Sequence, residues 1–432
     1  MPGYLLRFAI PYSVLGALAI LVFLSGCSPV RKVNRHLNNQ FQNEAHSNQF
    51  TGILLVDATS RDTLFSLNAE KYFTPASNVK LFTLYAALKT LPDRVPALKY
   101  ARHRDSVYVV GTGDPSALHP DLMDSTALKF IRGFPHVTMV NSNLTDPAWG
   151  PGWSWDDFDA YYMPGRSAFP VHGNILRLIG YPDSLHVSPS IFRDSLSPRR
   201  GGRARSQLRN VFLRTPSPGD TLDIPLRISG QLERDLWAAF SGRVVVRGDT
   251  LPPPPLETLP GMASDSLYAK MMKESDNFIA EQLMLLVSGT QSDTLSFEAA
   301  RDRVLEEFLP GIPQVPRWVD GSGLSRYNLF TPESVVFLLD KLYREFPEPR
   351  LFALLAQGGQ DGTLAAWYRD SASPYVFGKT GSLSNNHNLS GYLVTLSGKR
   401  VCFSMMNNHF TQPSDVIKEN MQELLQWVRE NY

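Results

Sequence analysis

Two cysteines, Cys27 and Cys402, are all that 432 residues contain. No CxxC pair is present, and if Cys27 is modified Cys402 has no partner, so no internal disulfide is expected to hold the fold. Cys402 lies in the strand-like run RVCFSMM, which reads as a small buried hydrophobe and not as a catalytic thiol. The nine histidines show no HExxH spacing, so neither a metal site nor any other cofactor is expected. An excess of one charge is also missing: 42 Lys and Arg face 41 Asp and Glu, a net charge of +1. Without a clustered positive surface, nucleic acid is not expected as a partner. The composition is 43% hydrophobic and 19% charged. It is that of a globular protein with ample material for a core, and the length suggests about two or three domains.

What is present begins with an apolar leader. MPGYLLRFAIPYSVLGALAILVFLSGCSPV carries Arg7, then an apolar run, then the small residues Ser25 and Gly26 before Cys27. Residues 1–26 read as a secretory signal. LSGC resembles the bacterial lipobox, in which the cysteine is lipidated and becomes the first residue of the mature protein. A plain transmembrane anchor is the alternative; the run is nearly long enough, but Pro11 interrupts its start. Either reading places the body in the cell envelope, periplasmic or at the cell surface, and tethered to a membrane. Residues 27–48, rich in Asn, Gln and His from Asn34 onward, read as a tether.

TGILLVDATSRDTLFSLNAE gives two apolar runs around a polar turn, a hairpin. KYFTPASNVKLFTLYAALKTL predicts a helix with Thr74 as N-cap, Pro75 in the first helical position and an apolar face beyond. From about Tyr100 to Thr250, short strand-like runs (SVYVVG, VTMVNS, RLIGY, SGRVVVRGD) are split by Gly, Pro and Asp turns, which predicts an all-β insertion of sandwich or barrel type. LPPPPLETLP, Leu251 to Pro260, reads as a stiff linker closing it. ASDSLYAKMMKESDNFIAEQLMLLVSG is then helical, and NLSGYLVTLSGKRVCFSMMNN is a second hairpin. The chain finishes on a helix with Ser414 as cap and Ile417, Met421, Leu424, Leu425 and Val428 on one face. The expected organisation is one domain mixing helices and sheet, residues 49–99 and 256–432, interrupted by a β-rich insertion, residues 100–255.

In PASNVK, Ser77 and Lys80 stand three apart and share a helix face, so the lysine amine can reach the serine hydroxyl. Serine is a poor nucleophile unless a base takes its proton. A lysine can be that base only if burial or a neighbouring cation lowers its pKa. The first turn of a helix adds free backbone N–H groups and partial positive charge. Alone, SxxK recurs by chance about once per few hundred residues, and a solvated surface pair would explain it. Two more motifs follow in order. Ser275-Asp276-Asn277 falls within the second helical region, and Lys379-Thr380-Gly381 precedes the terminal hairpin; KTG recurs only about once per several thousand positions. SxxK, SDN and KTG together are the signature of penicillin-binding proteins and class A β-lactamases. The chemistry is coherent. Lys379 offers a second cation that keeps Lys80 neutral, and a positive site for a substrate carboxylate. Ser275 can pass a proton between Lys80 and a leaving amine, Asn277 can hydrogen-bond a substrate amide, and Gly381 lets a substrate backbone lie against the strand edge.

Beyond the motifs, SLNAEKYFTPASNVKL, GTGDPSALHP, PGWSWDDFDAYYMPGRSAFPVHGN, VDGSGLSRYNLFTP, GGQDGTLAAWYR and GKTGSLSNNHNLSGYL resemble, in order, the blocks of low-molecular-mass class C penicillin-binding proteins, the D-Ala-D-Ala carboxypeptidase/endopeptidase family S13. The resemblance spans roughly Gly52 to the C-terminus, and the long insert between Ser77 and Ser275 fits it. It implies an α+β transpeptidase fold, β-lactamase-like, with an antiparallel sheet flanked by helices and a β-rich inserted domain. It further implies that Ser77 is acylated, that Lys80 is the base, and that Ser275 and Asn277 form the second motif. Lys379, Thr380 and Gly381 form the third, and the backbone N–H groups of Ser77 and Ser382 form the oxyanion hole. Peptidoglycan stem peptides are the implied substrates and β-lactams the implied covalent inhibitors. A serine β-lactamase is the nearest alternative, but no ExxLN-type element for water activation lies between the first two motifs. A non-catalytic envelope module is another, against which the intact chemical residues argue. Carboxypeptidase and endopeptidase activity both remain open, since both cleave after D-Ala. GWSWDD reads either as an aromatic, acidic platform or as packing of the insertion. Asp114 and Asp320 read as turn residues, and Asp361 reads equally as a residue touching the site or as a turn before a helix.

Overall fold

The computed structural model describes residues 29–41, 48–199, 202–250, 255–370 and 373–432. The leader and Cys27 lie outside these residues. Helix α1 (Pro29–Phe41) precedes β1 (Phe50–Asp57) and β2 (Thr63–Leu67), the expected hairpin, and a turn then leads into α2 (Lys80–Thr90). Next come β3 (Arg94–His103), β4 (Ser106–Val110), α3 (Thr126–Ile131), β5 (His136–Val140), β6 (Ile175–Gly180), β7 (Leu185–Ser188), β8 (Thr221–Pro225), α4 (Gly230–Ser241), β9 (Val244–Arg247) and β10 (Glu257–Ala263). The last part holds α5 (Ser264–Lys273), α6 (Asn277–Gln291), α7 (Phe297–Arg303), α8 (Pro332–Glu345), α9 (Glu348–Leu354), β11 (Ala356–Gln357), β12 (Val376–Leu383), β13 (Asn386–Val394), β14 (Arg400–Asn408) and α10 (Ser414–Asn431).

β1 is apolar almost throughout because it is central and covered on both faces, between β14 and β2 in an antiparallel sheet ordered β11-β12-β13-β14-β1-β2. Strand alternation sorts its neighbours. Ile53, Leu55, Val401, Phe403 and Met405 enter the core under α10, while Leu54, Cys402 and Met406 enter the core containing α2, α6 and α8. Cys402 is thus a buried hydrophobe, as read from its sequence context. The stripe Ile417, Met421, Leu424, Leu425 and Val428 is buried as its spacing predicts. Each such side chain contributes roughly 1.5–3 kcal/mol before ordering entropy.

Several expectations are corrected. Residues 34–41, expected as part of a tether, are helical: Val33 and Leu37, four apart, are fully buried beside α10, and His36 stacks on Trp427 at 3.8 Å. That two-residue stripe is too short to stand out against the polar remainder. The inserted region is not all-β. Its five-stranded sheet, β10-β3-β4-β5-β9, has parallel pairs β4/β5 and β5/β9, and a three-stranded sheet β7-β6-β8 adjoins it. The insertion's core also takes Leu236 and Trp237 from α4, a helix N-capped by Ser229. Glu257–Pro260, expected as linker, pairs with β3. The long helix after it breaks in two, because Ser275 adopts φ 62° and the Asp276 carboxylate caps α6 by accepting the Ile279 N–H at 2.9 Å. Ser414 does not cap α10 but is its first residue.

Candidate active site

Ser77 lies on a tight turn, Ala76–Val79, entered through Ala76 at φ 48°. Thr74 does not cap it, contrary to expectation, and Pro75 stands just before the turn. The Thr74 N–H donates to Asn408 Oδ1 at 2.7 Å, and its carbonyl accepts from the amides of Asn388 and Asn408 at 2.9 and 3.3 Å. Asparagines of β13 and β14 therefore tie the segment to the sheet, which gives Asn388 of the polar run NNHN after KTG a structural part. Two glycines hold the turn from the sides. A Cβ on Gly323 (φ 86°) would stand 2.0 Å from Ala76 O and 3.0 Å from Ser77 N, and one on Gly381 would stand 2.4 Å from Pro75 O. Gly381 was expected to make room for substrate; its missing side chain makes room for the turn carrying the serine. The outer edge of β12 is still open from Lys379 onward, since β11 pairs only with Phe377 and Gly378.

Lys80 is fully buried, and its Nζ makes three contacts: Ser77 Oγ at 2.9 Å, Asn277 Oδ1 at 2.6 Å and Ser322 O at 2.7 Å. Burial pushes its pKa down to about 8, against the opposing pull of the Asp320, Glu281 and Asp276 carboxylates. Lys379 is also fully buried, and its Nζ donates to Thr380 O at 2.8 Å. Its pKa falls well below the usual lysine range, through burial first and the Lys80 charge second. Lys379 was expected to be the lasting cation that neutralises Lys80. Here Lys80 has three acceptors and Lys379 one, so Lys80 holds its proton the more firmly and burial, not Lys379, is what lowers its pKa.

Ser275, in its left-handed conformation, faces the same cleft as Ser77. Asn277 is occupied at both ends: Oδ1 receives Lys80, and Nδ2 donates to Tyr162 O at 2.9 Å. It orients the lysine, where a contact to substrate amide was expected. The Ser382 hydroxyl pairs with His387 Nδ1 at 2.8 Å, and the Thr380 hydroxyl donates to Thr363 Oγ1 at 2.8 Å. The cleft measures about 1080 Å³ and is lined by Ser77, Ser275, Asn277, Thr380 and Ser382, with Tyr162 and Arg177 of the inserted region opposite.

Sequence reasoning missed the polar core behind Lys80. Asp320, read as a turn residue, accepts from the N–H groups of Gly323 and Ser325, from Asn328 Nδ2 and from Trp153 Nε1, at 2.6 to 2.9 Å. That loop presents the Ser322 carbonyl to Lys80. The Ser322 N–H donates at 2.8 Å to Glu281, whose other oxygen receives Arg166 at 2.6 and 2.9 Å. A lone glutamate in the apolar run NFIAEQLMLL was the available signal. Trp153 of GWSWDD packs against this network, its ring 5.5 Å from the Arg166 guanidinium, whereas Trp155 is 70% exposed. Asp361 accepts from Lys273 and the Gln357 N–H as a turn residue, and Asp114 accepts from Ser116. Among the described residues no cluster of metal-ligating side chains occurs, and no helix is long and apolar enough to cross a membrane.

The sequence model of the D-Ala-D-Ala carboxypeptidase 3 (S13) family matches residues 33–190 and 234–431. A D-alanyl-D-alanine carboxypeptidase of Actinomadura sp. (strain R39) is 26% identical over 477 aligned residues, covering 94% of this chain and 86% of that protein. The fold is similar to the crystal structure of penicillin binding protein 4 from Haemophilus influenzae, with a TM-score of 0.65 and 20% identity over 88% of this chain and 95% of that one. The same protein in complex with a β-lactam gives a TM-score of 0.63 at 18% identity, over 89% and 97% of the two chains. With the family model spanning most of its length, this chain belongs to the D-Ala-D-Ala carboxypeptidase (S13) family of serine peptidases.

Proposed function

We propose that this peptidase cleaves the D-Ala-D-Ala bond of peptidoglycan stem peptides through an acyl-enzyme on Ser77, and that penicillin acylates the same serine. The observation that carries the reading is the arrangement around Lys80 Nζ. Two of its three neighbours, Asn277 Oδ1 and Ser322 O, are acceptors with no hydrogen to give. A neutral Lys80 directs its two N–H bonds at them, which aims the lone pair at the Ser77 hydroxyl.

Lys80 takes the Ser77 proton as Oγ attacks the carbonyl carbon. The N–H groups of Ser77 and Ser382 hold the oxyanion. The C–N bond then breaks, and the amine departs with the proton that Ser275 relays from Lys80. Water attacks the ester, Lys80 accepts its proton, and the acid leaves with Ser77 restored. Lys379 and Thr380 bind the substrate's terminal carboxylate, and the paired anion restores the charge that burial removes from Lys379. The signal of residues 1–26 and lipidation at Cys27 anchor the enzyme in the cell envelope. Fluorescent penicillin should label the wild type and not Ser77→Ala, with an adduct lasting minutes or longer. Labelling of Ser77→Ala refutes the nucleophile, and rapid turnover favours a β-lactamase. Mass spectrometry of membrane-extracted protein should find lipid on Cys27; an unmodified Cys27 with the leader attached refutes the anchor.

A further inference from the structure

Both lysines in the last turn of α5, Lys270 and Lys273, are pinned just before the strained Ser275. Lys273 Nζ donates to Asp361 Oδ2 at 2.7 Å, and a Cβ on Gly362 would stand 2.4 Å from Lys273 O. One side of the helix end therefore rests on the loop between β11 and β12. Lys270 is held from the inserted region. Its side chain is 7% exposed, and its Nζ contacts Asp121 Oδ2 at 2.9 Å and Glu274 Oε2 at 2.6 Å. Asp121 Oδ1 accepts from Arg177 Nη1 at 2.7 Å, and Nε and Nη2 of that guanidinium meet the two oxygens of Asp223 at 2.7 Å. Arg177 and Asp223 stand opposite each other on β6 and β8. Alternating charges thus run from β8 to the residue before Ser275. The Asp121 N–H donates to His119 Nδ1 at 3.2 Å, which fixes the loop carrying this carboxylate. Burial would raise the Asp121 carboxyl, but the Arg177 and Lys270 contacts hold it at about 2, so it is ionised at neutral pH.

We propose that Lys270 and Asp121 are positioning residues for the second motif: the ion chain through them braces Ser275 in its strained turn, and the inserted region thereby controls the proton that reaches the leaving amine. The inference rests on the D-Ala-D-Ala peptidase reading. A left-handed backbone such as that of Ser275, at φ 62°, persists in a non-glycine residue only where its surroundings over-determine it. The Asp276 cap on α6 fixes the far side of the turn, and Lys270 and Lys273 fix the near side. In the proposed reaction Ser275 gives its hydroxyl proton to the departing nitrogen as the C–N bond breaks, and takes one from Lys80. Its hydroxyl must stay in reach of both, and a misplacement of about 1 Å costs on the order of 10²-fold. Demand for that proton depends on the leaving atom. An amine departs as it gains a proton. A thiolate departs with the C–S electron pair and needs none, since a thiol has a pKa of about 8.5.

The test measures kcat/KM, which reports acylation, for a peptide ending in D-Ala-D-Ala and for its thioester counterpart, in which thiolactic acid replaces the last residue. Both keep the terminal carboxylate, so its binding is common to the two. The enzymes are wild type, Asp121→Asn, Lys270→Met and Lys270→Arg, with thermal melting to show that each is folded. Asp121→Asn keeps the shape of a side chain that is 40% exposed and removes only its charge. The expected result is an amide-to-thioester ratio lower by about tenfold or more in Asp121→Asn and Lys270→Met. Lys270→Arg should stay within about threefold of the wild type, because guanidinium can bridge Asp121 and Glu274. A ratio unchanged in folded Asp121→Asn overturns the proposal. So does a loss shared equally by amide and thioester, which marks a general structural role. A wild type that is acylated by the thioester but releases no D-Ala from the amide refutes the peptidase reading instead, and this inference with it.

Discussion

Replacing Lys80 with Arg separates the two things this residue does. Guanidinium can still donate toward Ser77 Oγ, Asn277 Oδ1 and Ser322 O, but it does not deprotonate at working pH and has no lone pair to offer. The size of the effect follows from the wild-type pKa. With that pKa lowered from 10.5 to about 8, roughly one lysine in eleven is neutral at pH 7, against roughly one in 3,000 for an unperturbed side chain. Burial thus supplies a gain of about 300-fold in competent enzyme. The acylation rate constant with a chromogenic β-lactam, followed by stopped flow, should rise about tenfold per pH unit below pH 8 and level off above it. Lys80→Arg should lower the rate at the plateau by about 10²–10⁴-fold and lose that limb, with thermal melting used to confirm that the variant is folded. Folded Lys80→Arg acylating at close to the wild-type rate would sink the base assignment. A wild-type limb centred near the ordinary lysine value would sink the burial argument even if the base is right.

Asp276→Asn keeps the cap on α6, because Asn caps as well as Asp, but removes one of the anions that hold a proton on Lys80. The acylation limb should move to lower pH with little change in melting temperature, and an unmoved limb contradicts that electrostatic contribution. Gly323→Ala should lower the unfolding free energy, taken from denaturant titration, by about 1–2 kcal/mol from its left-handed backbone alone. Acylation should fall about 10²-fold because the new Cβ, 2.0 Å from Ala76 O, displaces the serine turn; a loss under threefold refutes the clamp. Asp114 is fully buried and its carboxyl is raised from 3.8 to about 7. Between those values the native state keeps a proton that the unfolded chain gives up, so its contribution to stability falls as pH rises through that window and stays low above it. Asp114→Asn should therefore match the wild type near pH 4 and melt higher at pH 8; a gap that does not grow with pH refutes this.

The residues that meet in the candidate site were legible in the sequence because they form motifs of short, ordered spacing. Ser77 and Lys80 share one turn, and SDN and KTG follow in the order that brings them to it. The terminal hairpin and the α10 stripe were legible for a similar reason: period-two and helical patterns are local. Thr74, Ser275 and Ser414 were misplaced because caps and helix breaks depend on which partner claims each backbone group. Asn388 and Asn408 claim Thr74 from over 300 residues away. The inserted region was read as all-β because its short strands outweigh the single stripe of α4, and nothing local tells a parallel pair from an antiparallel one. What only the tertiary structure decided is how the site is tuned. Lys80 loses its ordinary pKa through burial, a loss the Asp320 and Glu281 carboxylates oppose; these groups and the Ser322 carbonyl it donates to lie some 200 or more residues beyond the lysine. Desolvation is a property of the packed volume around a group and not of its neighbours in sequence, so the motif could single out Lys80 as the proposed base while only the fold could lower its pKa.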